Sequence, residues 1–357
     1  MRVKVYGAGS IGNHLVQASR RIGWDVAMVD NNPAALLRMK HDIYPKRYGA
    51  WDDAIQLYKG YGDPKGGFDI IMIGTPPDVR MKLAIEAAKE APRLIHLEKP
   101  LYAPTTESVE DFERFKETLA RYAPECIVTV GYDHAVSRAA QFVKDLLQQN
   151  KIGEVMRLEV AFKEHWKGIF AAHPWLKGPE DSYLGYWRRG GGAGCEHSHA
   201  LHLWLYFAKL LGWGPVVDVR SHLKICRDGS AEYDKVADFS LAAESGRRGT
   251  VVQDVVTDPV EKHVCFFGTS GHIMWLVGGS PNGDIVRLYS VDGGVKNEVV
   301  IHKKRPDDFY EEVLHYDRLL NGEIAPHDSP LSLSLGAQVM EILCEAYSLA
   351  TDGEEEK

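Results

Sequence analysis

The first third of the chain alternates between two hydrophobic periods. Residues 3–6 form a short apolar run, and from about Ile11 the apolar positions Ile11, Leu15, Ala18 and Ile22 recur at helical spacing until Gly23. Residues 26–29 are a second apolar run, closed by Asp30. F-D-I-I-M-I-G, L-I-H-L-E-K-P and C-I-V-T-V-G-Y follow, each a short apolar run that ends in turn chemistry, with amphipathic stretches such as V-R-M-K-L-A-I-E-A-A-K between them. Strands that alternate with helices predict a parallel, doubly wound sheet.

From about Gly131 this alternation stops. A helix is predicted over about residues 137–149, and E-V-M-R-L-E-V-A-F after it has the period-two character of a strand. A glycine run then leads into G-C-E-H-S-H-A-L-H-L-W, which continues as an apolar stretch with almost no polar face. It predicts a buried helix ending near Gly212. V-V-D-V-R-S-H-L, V-A-D-F-S-L-A, G-T-V-V-Q-D-V-V, H-V-C-F-F-G and I-V-R-L-Y-S-V come next, separated by turns such as D-G-S and P-N-G-D, and predict a large, mainly antiparallel sheet. A last helix is predicted over about residues 332–349, and D-G-E-E-E-K reads as a frayed tail.

Length and composition narrow the class. A chain of 357 residues exceeds one ordinary core, so two domains are expected. Hydrophobic residues at 45% and charged residues at 26% suit a globular protein. The net charge of -8 argues against nucleic acid or an anionic membrane as partner. Five cysteines without C-x-x-C spacing suit a reducing cytoplasm. No apolar run approaches the ~20 residues of a membrane helix, and no signal peptide is expected ahead of the first strand. A cytoplasmic location follows as the expectation.

The strongest local motif is G-A-G-S-I-G at residues 7–12, placed between a strand and a helix as its mechanics require. Gly7 permits the tight turn, Gly9 lets a pyrophosphate approach the backbone, and Gly12 lets the helix pack against the sheet. The helix N-terminus offers free N–H groups to phosphates. Asp30 stands where a carboxylate binds a ribose 2′-hydroxyl and repels a 2′-phosphate, and N-N-P-A-A after it carries no basic residue. NAD is therefore expected rather than NADP. A glycine turn without a ligand is the competing reading.

The order of G-x-G-x-x-G, I-G-T-P-P at 73–77, L-E-K-P at 97–100, G-Y-D-H at 131–134 and a G-G-G run before a histidine helix resembles the glucose–fructose oxidoreductase / inositol dehydrogenase (Gfo/Idh/MocA) family along essentially the whole chain. The resemblance implies a Rossmann domain, here assigned to residues 1–125. It implies an α+β substrate-binding and oligomerisation domain with an open, mainly antiparallel sheet, assigned to 126–357. It further implies NAD(P), a cis peptide between Lys99 and Pro100, and oxidation or reduction of a sugar or cyclitol carbon. The expected cofactor-binding set is Gly7, Gly9, Ser10, Ile11, Gly12, Asp30, Asn31, Gly74, Thr75, Pro76, Glu98 and Lys99.

Lys99 ends a strand at the carboxyl edge of a doubly wound sheet, where ligands bind. An ammonium there can hydrogen-bond a substrate hydroxyl and stabilise a developing oxyanion; a lysine in a surface loop is the plain alternative. Thr75 and Pro76 line the cofactor groove in this reading, and equally suit a helix start with Thr75 as cap. Arg80 stands where the family usually has a histidine. In the 195–202 segment, Cys195, His199 and His202 are spaced i, i+4 and i+7, hence on one helix face. The resemblance makes His199 the candidate general acid/base. It places Cys195 where an aspartate is common, which leaves Glu196 as the neighbouring carboxylate, and His202 beside a substrate hydroxyl. Cys, His and His also suit zinc, but a nicotinamide mechanism needs none, and no metal is expected. A packed core face is the third reading. Lys99 is expected to approach His199 across the substrate pocket. Arg188 and Arg189 precede the segment, and Arg189 is the candidate to hold an anionic group of the substrate. The aromatics of H-P-W and Y-L-G-Y-W suit either sugar stacking or packing.

The expectation is an NAD-dependent dehydrogenase or reductase acting on a CH–OH group of a sugar, amino sugar, nucleotide sugar or cyclitol, and a homo-oligomer, dimer or tetramer, assembled through the C-terminal sheet. Two alternatives stay open: an enzyme with resident NAD that oxidises transiently to assist elimination or glycoside cleavage, and a nucleotide-sensing binding protein without chemistry.

Overall fold

The computed structural model of the chain describes residues 1–171 and 175–355. In chain order the first elements are β1 (Arg2–Tyr6), α1 (Ser10–Arg21), β2 (Asp25–Asp30), α2 (Pro33–Arg38), α3 (Tyr44–Tyr48), β3 (Gln56–Lys59), β4 (Ile70–Ile73), α4 (Pro77–Lys89), β5 (Leu94–Glu98), α5 (Thr106–Tyr122) and β6 (Ile127–Gly131). Their strands form one wholly parallel sheet in the order β3-β2-β1-β4-β5-β6. The order reverses between β1 and β4, the switch point at which doubly wound sheets bind ligands. This is the parallel, doubly wound sheet that the alternation predicts. β3, which the pattern did not mark, is a four-residue edge strand of polar and aromatic residues, Q-L-Y-K.

The following elements are α6 (Arg138–Gln148), β7 (Val155–Lys163), α7 (Trp166–Ala171), α8 (Gly192–Glu196), α9 (His199–Leu210), β8 (Val216–Asp228), β9 (Ala231–Ala243), β10 (Arg248–Asp254), β11 (Glu261–Gly268), β12 (Gly271–Ser280), β13 (Gly283–Tyr289) and β14 (Val295–His302), then α10 (Arg305–Leu320) and α11 (Leu333–Glu355). Eight strands form a second sheet, ordered β14-β13-β12-β11-β7-β10-β9-β8. It is antiparallel throughout except for the β7–β10 pair. α6 starts where Ser137 accepts a hydrogen bond from the Ala140 N–H, the capping chemistry that satisfies an orphan donor. α9 is buried along its length from Ala200 to Ala208, as its lack of a polar face requires. The Trp204 indole N–H on it donates to the Leu158 carbonyl of β7 at 3.2 Å.

The chain forms two compact units. The first comprises residues 1–133 and 306–333, the second residues 134–305 and 334–357. The boundary expected at 125/126 therefore falls one strand early, because β6 pairs with β5 in the first sheet. The chain also returns to the first unit late. α10 packs there, its Phe309 ring stacked on His14 of α1 at 4.4 Å, and the Val130 N–H of β6 donates to the Leu331 carbonyl at 2.9 Å. α11 runs on to Glu355, so the tail read as frayed is helical to that point, and Glu356 and Lys357 lie outside the described residues.

One buried histidine of α10 gives this unit an acid sensitivity. His315 is buried, its Nε2 lies 2.7 Å from the Ser329 hydroxyl, and burial lowers its pKa to about 4. A folded-state value below the unfolded one means stability is present at neutral pH and is lost as pH falls. The window runs from the unfolded value of 6.5 down to about 4, and the loss amounts to about 3 kcal/mol at most. His315→Asn should flatten denaturant midpoints across that window, and an unchanged wild-type slope in the variant would exclude His315 as the cause.

Candidate active site

At the carboxyl ends of its strands the first unit brings the candidate cofactor residues together. The Gly74 N–H donates to the Tyr6 carbonyl at 2.9 Å, which sets the segment after β4 beside the loop after β1. Gly7 has φ +100, and a Cβ on Gly12 would meet the Gly7 oxygen at 1.9 Å. No side chain fits at Gly12, so α1 packs directly on the loop. Above Gly9, by contrast, an added Cβ would meet nothing within 4 Å. The Asp30 carboxylate ties the loop down, accepting from the Ala8 N–H and from the Asn32 N–H, each at 2.7 Å. Asn31 projects at this rim, its Oδ1 2.8 Å from where a Cβ on Gly60 would sit.

Two hydroxyls here have nothing to bond. Ser10 Oγ, at the start of α1, and Thr75 Oγ1, after β4, are buried without a hydrogen-bond partner among the described residues. Gly9 precedes α1 with no side-chain cap. Open space over a glycine, orphaned hydroxyls at the start of α1 and after β4, and an uncapped helix start fit the pyrophosphate of a dinucleotide. Ile11 sits in the first turn of α1, half-buried. Thr75 is not the cap of α4: Pro76 occupies that position and the helix begins at Pro77.

Glu98 is buried at the end of β5, Lys99 is half-buried, and the Lys99–Pro100 peptide is cis. Arg80 holds this segment. It is 2% exposed and its guanidinium donates to the carbonyls of Glu98 and Thr75, each at 2.5 Å, and to that of Pro100. The sequence offered Arg80 only as a departure from a family histidine; two of its partners, Glu98 and Pro100, come from another strand end and left no local trace.

The second unit holds the histidine segment, and here one inference from spacing fails. The helix is interrupted: α8 ends at Glu196, His197 and Ser198 form a turn, and α9 starts at His199. Cys195 thus lies on a different helix from His199 and His202, and the three do not form one helical stripe. Burial separates them further. Cys195 and His202 are 0% exposed and His197 is 3% exposed, whereas Glu196 and His199 keep part of their surface. The Tyr347 hydroxyl faces Cys195. His199 lies against His134, ring centroids 4.7 Å apart, with Phe162 at 5.4 Å from His134 and 6.3 Å from His199. His134 was visible as the last letter of G-Y-D-H but carried no assignment. Arg189 is exposed; Arg188 is spoken for by Glu232 at 3.1 Å and by the Trp187 ring. Of H-P-W, His173 and Pro174 lie outside the described residues. Trp187 of Y-L-G-Y-W is buried and stacks on Tyr347 at 5.3 Å.

The glycine run has a packing cause. Gly192 has φ +85, and a Cβ there would meet Asp234 Oδ1 at 1.9 Å. Asp234 is fully buried and accepts from the Gly194 N–H at 2.7 Å and from the Tyr347 hydroxyl at 2.5 Å. Burial pushes its carboxyl up to about 6 against the pull of those donors. The carboxylate seats the N-terminus of the short helix α8 from forty residues away, through hydrogen bonds that strengthen in a dry interior.

Residues 140–274 match the profile of the GFO/IDH/MocA C-terminal domain. No curated protein matches the chain by sequence. Among solved structures, the WlbA dehydrogenase from Bordetella pertussis, in complex with NADH and UDP-GlcNAcA, is 21% identical, with 99% of this chain and 97% of that one covered at a TM-score of 0.68. An oxidoreductase from Agrobacterium radiobacter, in complex with NAD+, L-tartaric acid and magnesium, is 19% identical over 99% and 97% with a TM-score of 0.71. A levoglucosan dehydrogenase, in complex with NADH, is 16% identical over 99% and 97% with a TM-score of 0.73. Residues 140–274 thus resemble the GFO/IDH/MocA C-terminal domain, and the fold of the chain is similar along its length to the folds of these oxidoreductases.

Proposed function

We propose that the protein is an NAD-dependent dehydrogenase acting on a carbinol carbon of a sugar, amino sugar, nucleotide sugar or cyclitol. The observation that carries this reading is the cradle over Gly9, with the orphaned Ser10 and Thr75 hydroxyls beside it and Asp30 at its rim. Asp30 presents a carboxylate where a 2′-phosphate would be repelled. When bound, the nicotinamide supplies hydride acceptance and donation. Lys99 hydrogen-bonds the reacting oxygen and stabilises its negative charge. His199, half-buried against His134, accepts the hydroxyl proton in the oxidising direction. Glu196, also partly exposed, is the carboxylate that takes this part if His199 does not. Arg189 meets an anionic group of the substrate, while the burial of Cys195 and His202 leaves them the support of the segment. No metal takes part. No helix among the described residues is long and apolar enough to cross a membrane, and assembly into a homo-oligomer through the eight-stranded sheet completes the reading.

NADH should titrate tighter than NADPH by cofactor fluorescence, and Asp30→Ala should narrow the gap; tighter NADPH binding would refute the cofactor assignment. Lys99→Ala should fold and bind NADH while turnover drops by about 10²–10³, and wild-type turnover would remove Lys99 from the mechanism. Arg80→Ala deprives three carbonyls of their donor and should cost about 3 kcal/mol of stability in denaturant unfolding. An unchanged midpoint would mean that the clamp is replaced by water. Elemental analysis of protein purified without chelator decides the metal question: stoichiometric zinc, with activity lost to a chelator and restored by zinc, would overturn the metal-free reading. In metal-free protein His199→Ala should be inactive; full activity in that variant would return the proton to Glu196.

A further inference from the structure

Behind Lys99 the first unit buries acid that the chemistry above leaves unused. β5 contributes His96 and Glu98, 0% and 4% exposed, and α10 contributes Glu312 and Tyr316, both 0% exposed. One ligand atom each of His96, Glu98 and Glu312 lies within 4.8 Å of the others. Glu98 is fully engaged. Its Oε1 lies 3.3 Å from His96 Nε2, and its Oε2 accepts the Lys99 N–H at 3.2 Å. A Cβ on Gly131 would sit 2.9 Å from the same carboxyl group, so β6 closes the remaining side. The Tyr316 hydroxyl is 2.7 Å from His96 Nδ1, with Thr129 Oγ1 at 3.4 Å. Assigned as one neutral chain, Tyr316 O–H donates to Nδ1 and Nε2–H donates to Glu98, which leaves Glu98 the acceptor throughout.

Glu312 is the exception. Both its oxygens are buried with no hydrogen bond of good geometry among the described residues, and the Tyr316 hydroxyl that bears on it is shared with His96. The charged groups that bear on it are Glu98 from β5, Asp133 from the segment after β6, and Asp308 one turn earlier on α10, all acidic, with the neutral Tyr316 one turn later. A dry interior does not hold two ionised carboxylates side by side; one of them keeps a proton. Glu98 has donors on both oxygens, so Glu312 is the one that keeps it.

We propose that Glu312 is a neutral carboxylic acid in the working protein, paired with the Glu98 carboxylate, and that this pair holds the Lys99 segment in place. Glu312 is a positioning residue: it acts through Glu98, whose other oxygen fixes the Lys99 N–H. The inference rests on the proposed role of Lys99 for its link to catalysis, but the protonation itself does not. Burial first, then Glu98 and Asp133, push the Glu312 carboxyl well above the usual carboxylate range. For a group raised in the folded state, folding takes up a proton, and the benefit is lost as pH rises from the unfolded carboxyl value toward the folded one.

The test compares wild type with Glu312→Gln, the nearest neutral isostere. At pH 7 the infrared spectrum of wild type should contain the carbonyl stretch of a buried protonated carboxyl group, shifted in heavy water and absent from the variant. Above the unfolded carboxyl value of 4.5, the unfolding constant of wild type should climb relative to the variant by about tenfold per pH unit. The alkaline limb that ionisation of Glu312 adds to the turnover profile should vanish in Glu312→Gln, while Glu312→Ala lowers turnover at every pH. No protonated-carboxyl band in wild type would overturn the proposal, and that reading survives even if the variant fails to fold. Parallel stability curves would overturn it too, as would a stoichiometric divalent metal that is lost in Glu312→Gln. Wild-type turnover in Lys99→Ala with the infrared band present would sink the catalytic role of Lys99 and leave the paired carboxyls standing.

Discussion

The space between Gly12 and the Gly7 carbonyl is the constraint on which the first unit turns. A methyl group at residue 12 would overlap the Gly7 oxygen at 1.9 Å, so the helix can close on the loop only without a side chain there. That closure sets the N-terminus of α1 over the carboxyl end of β1, at the switch point of a sheet ordered 3-2-1-4-5-6. The rest of the candidate site inherits its position from it. Asp30 holds Ala8 by one hydrogen bond, Gly74 is drawn beside Tyr6 by another, and the hydroxyls of Ser10 and Thr75 are left buried without a hydrogen-bond partner among the described residues. Unsatisfied buried hydroxyls carry a desolvation cost of about 1–3 kcal/mol each. A fold retains them where a ligand repays that cost.

Buried charge organises both units, in different ways. In the first, the Arg80 guanidinium gathers carbonyls on either side of Lys99, and a carboxyl pair lies behind the same residue. In the second, the Asp234 carboxylate takes the place a side chain would need at Gly192 and holds the start of α8. Each device spends buried polar groups to fix a backbone segment that ends in a candidate catalytic side chain, Lys99 in one unit and His199 in the other. Such groups stabilise only when every partner is present, so loss of one partner loosens the segment rather than a single contact.

What could be read from the sequence was what the chain encodes locally. The alternation of strand and helix, the G-A-G-S-I-G loop and the acid at Asp30 all lie within one folding unit of chain, and the parallel sheet follows from them. The antiparallel sheet was legible from its turns, although β12 and β14 were not: β12 ends in G-G-S and β14 is a largely exposed edge strand of V-K-N-E-V-V-I-H. The break at His197–Ser198 was hidden because E-H-S-H contains no glycine or proline of the kind that marks a helix end. Arg80, Asp234 and Glu312 were invisible for one shared reason. Each acts on at least one partner supplied by another element, eighteen to more than two hundred residues away, and no spacing rule reaches that far.

The central claim is that the loop after β1 and the strand ends of β4 and β5 hold a dinucleotide. A crystal structure of the protein grown with NADH tests it directly. The pyrophosphate should lie over Gly9, with the Ser10 and Thr75 hydroxyls donating to its oxygens, and the adenosine ribose should meet the Asp30 carboxylate. A dinucleotide bound elsewhere, or a loop left empty at saturating NADH with both hydroxyls still unpartnered, would contradict the account.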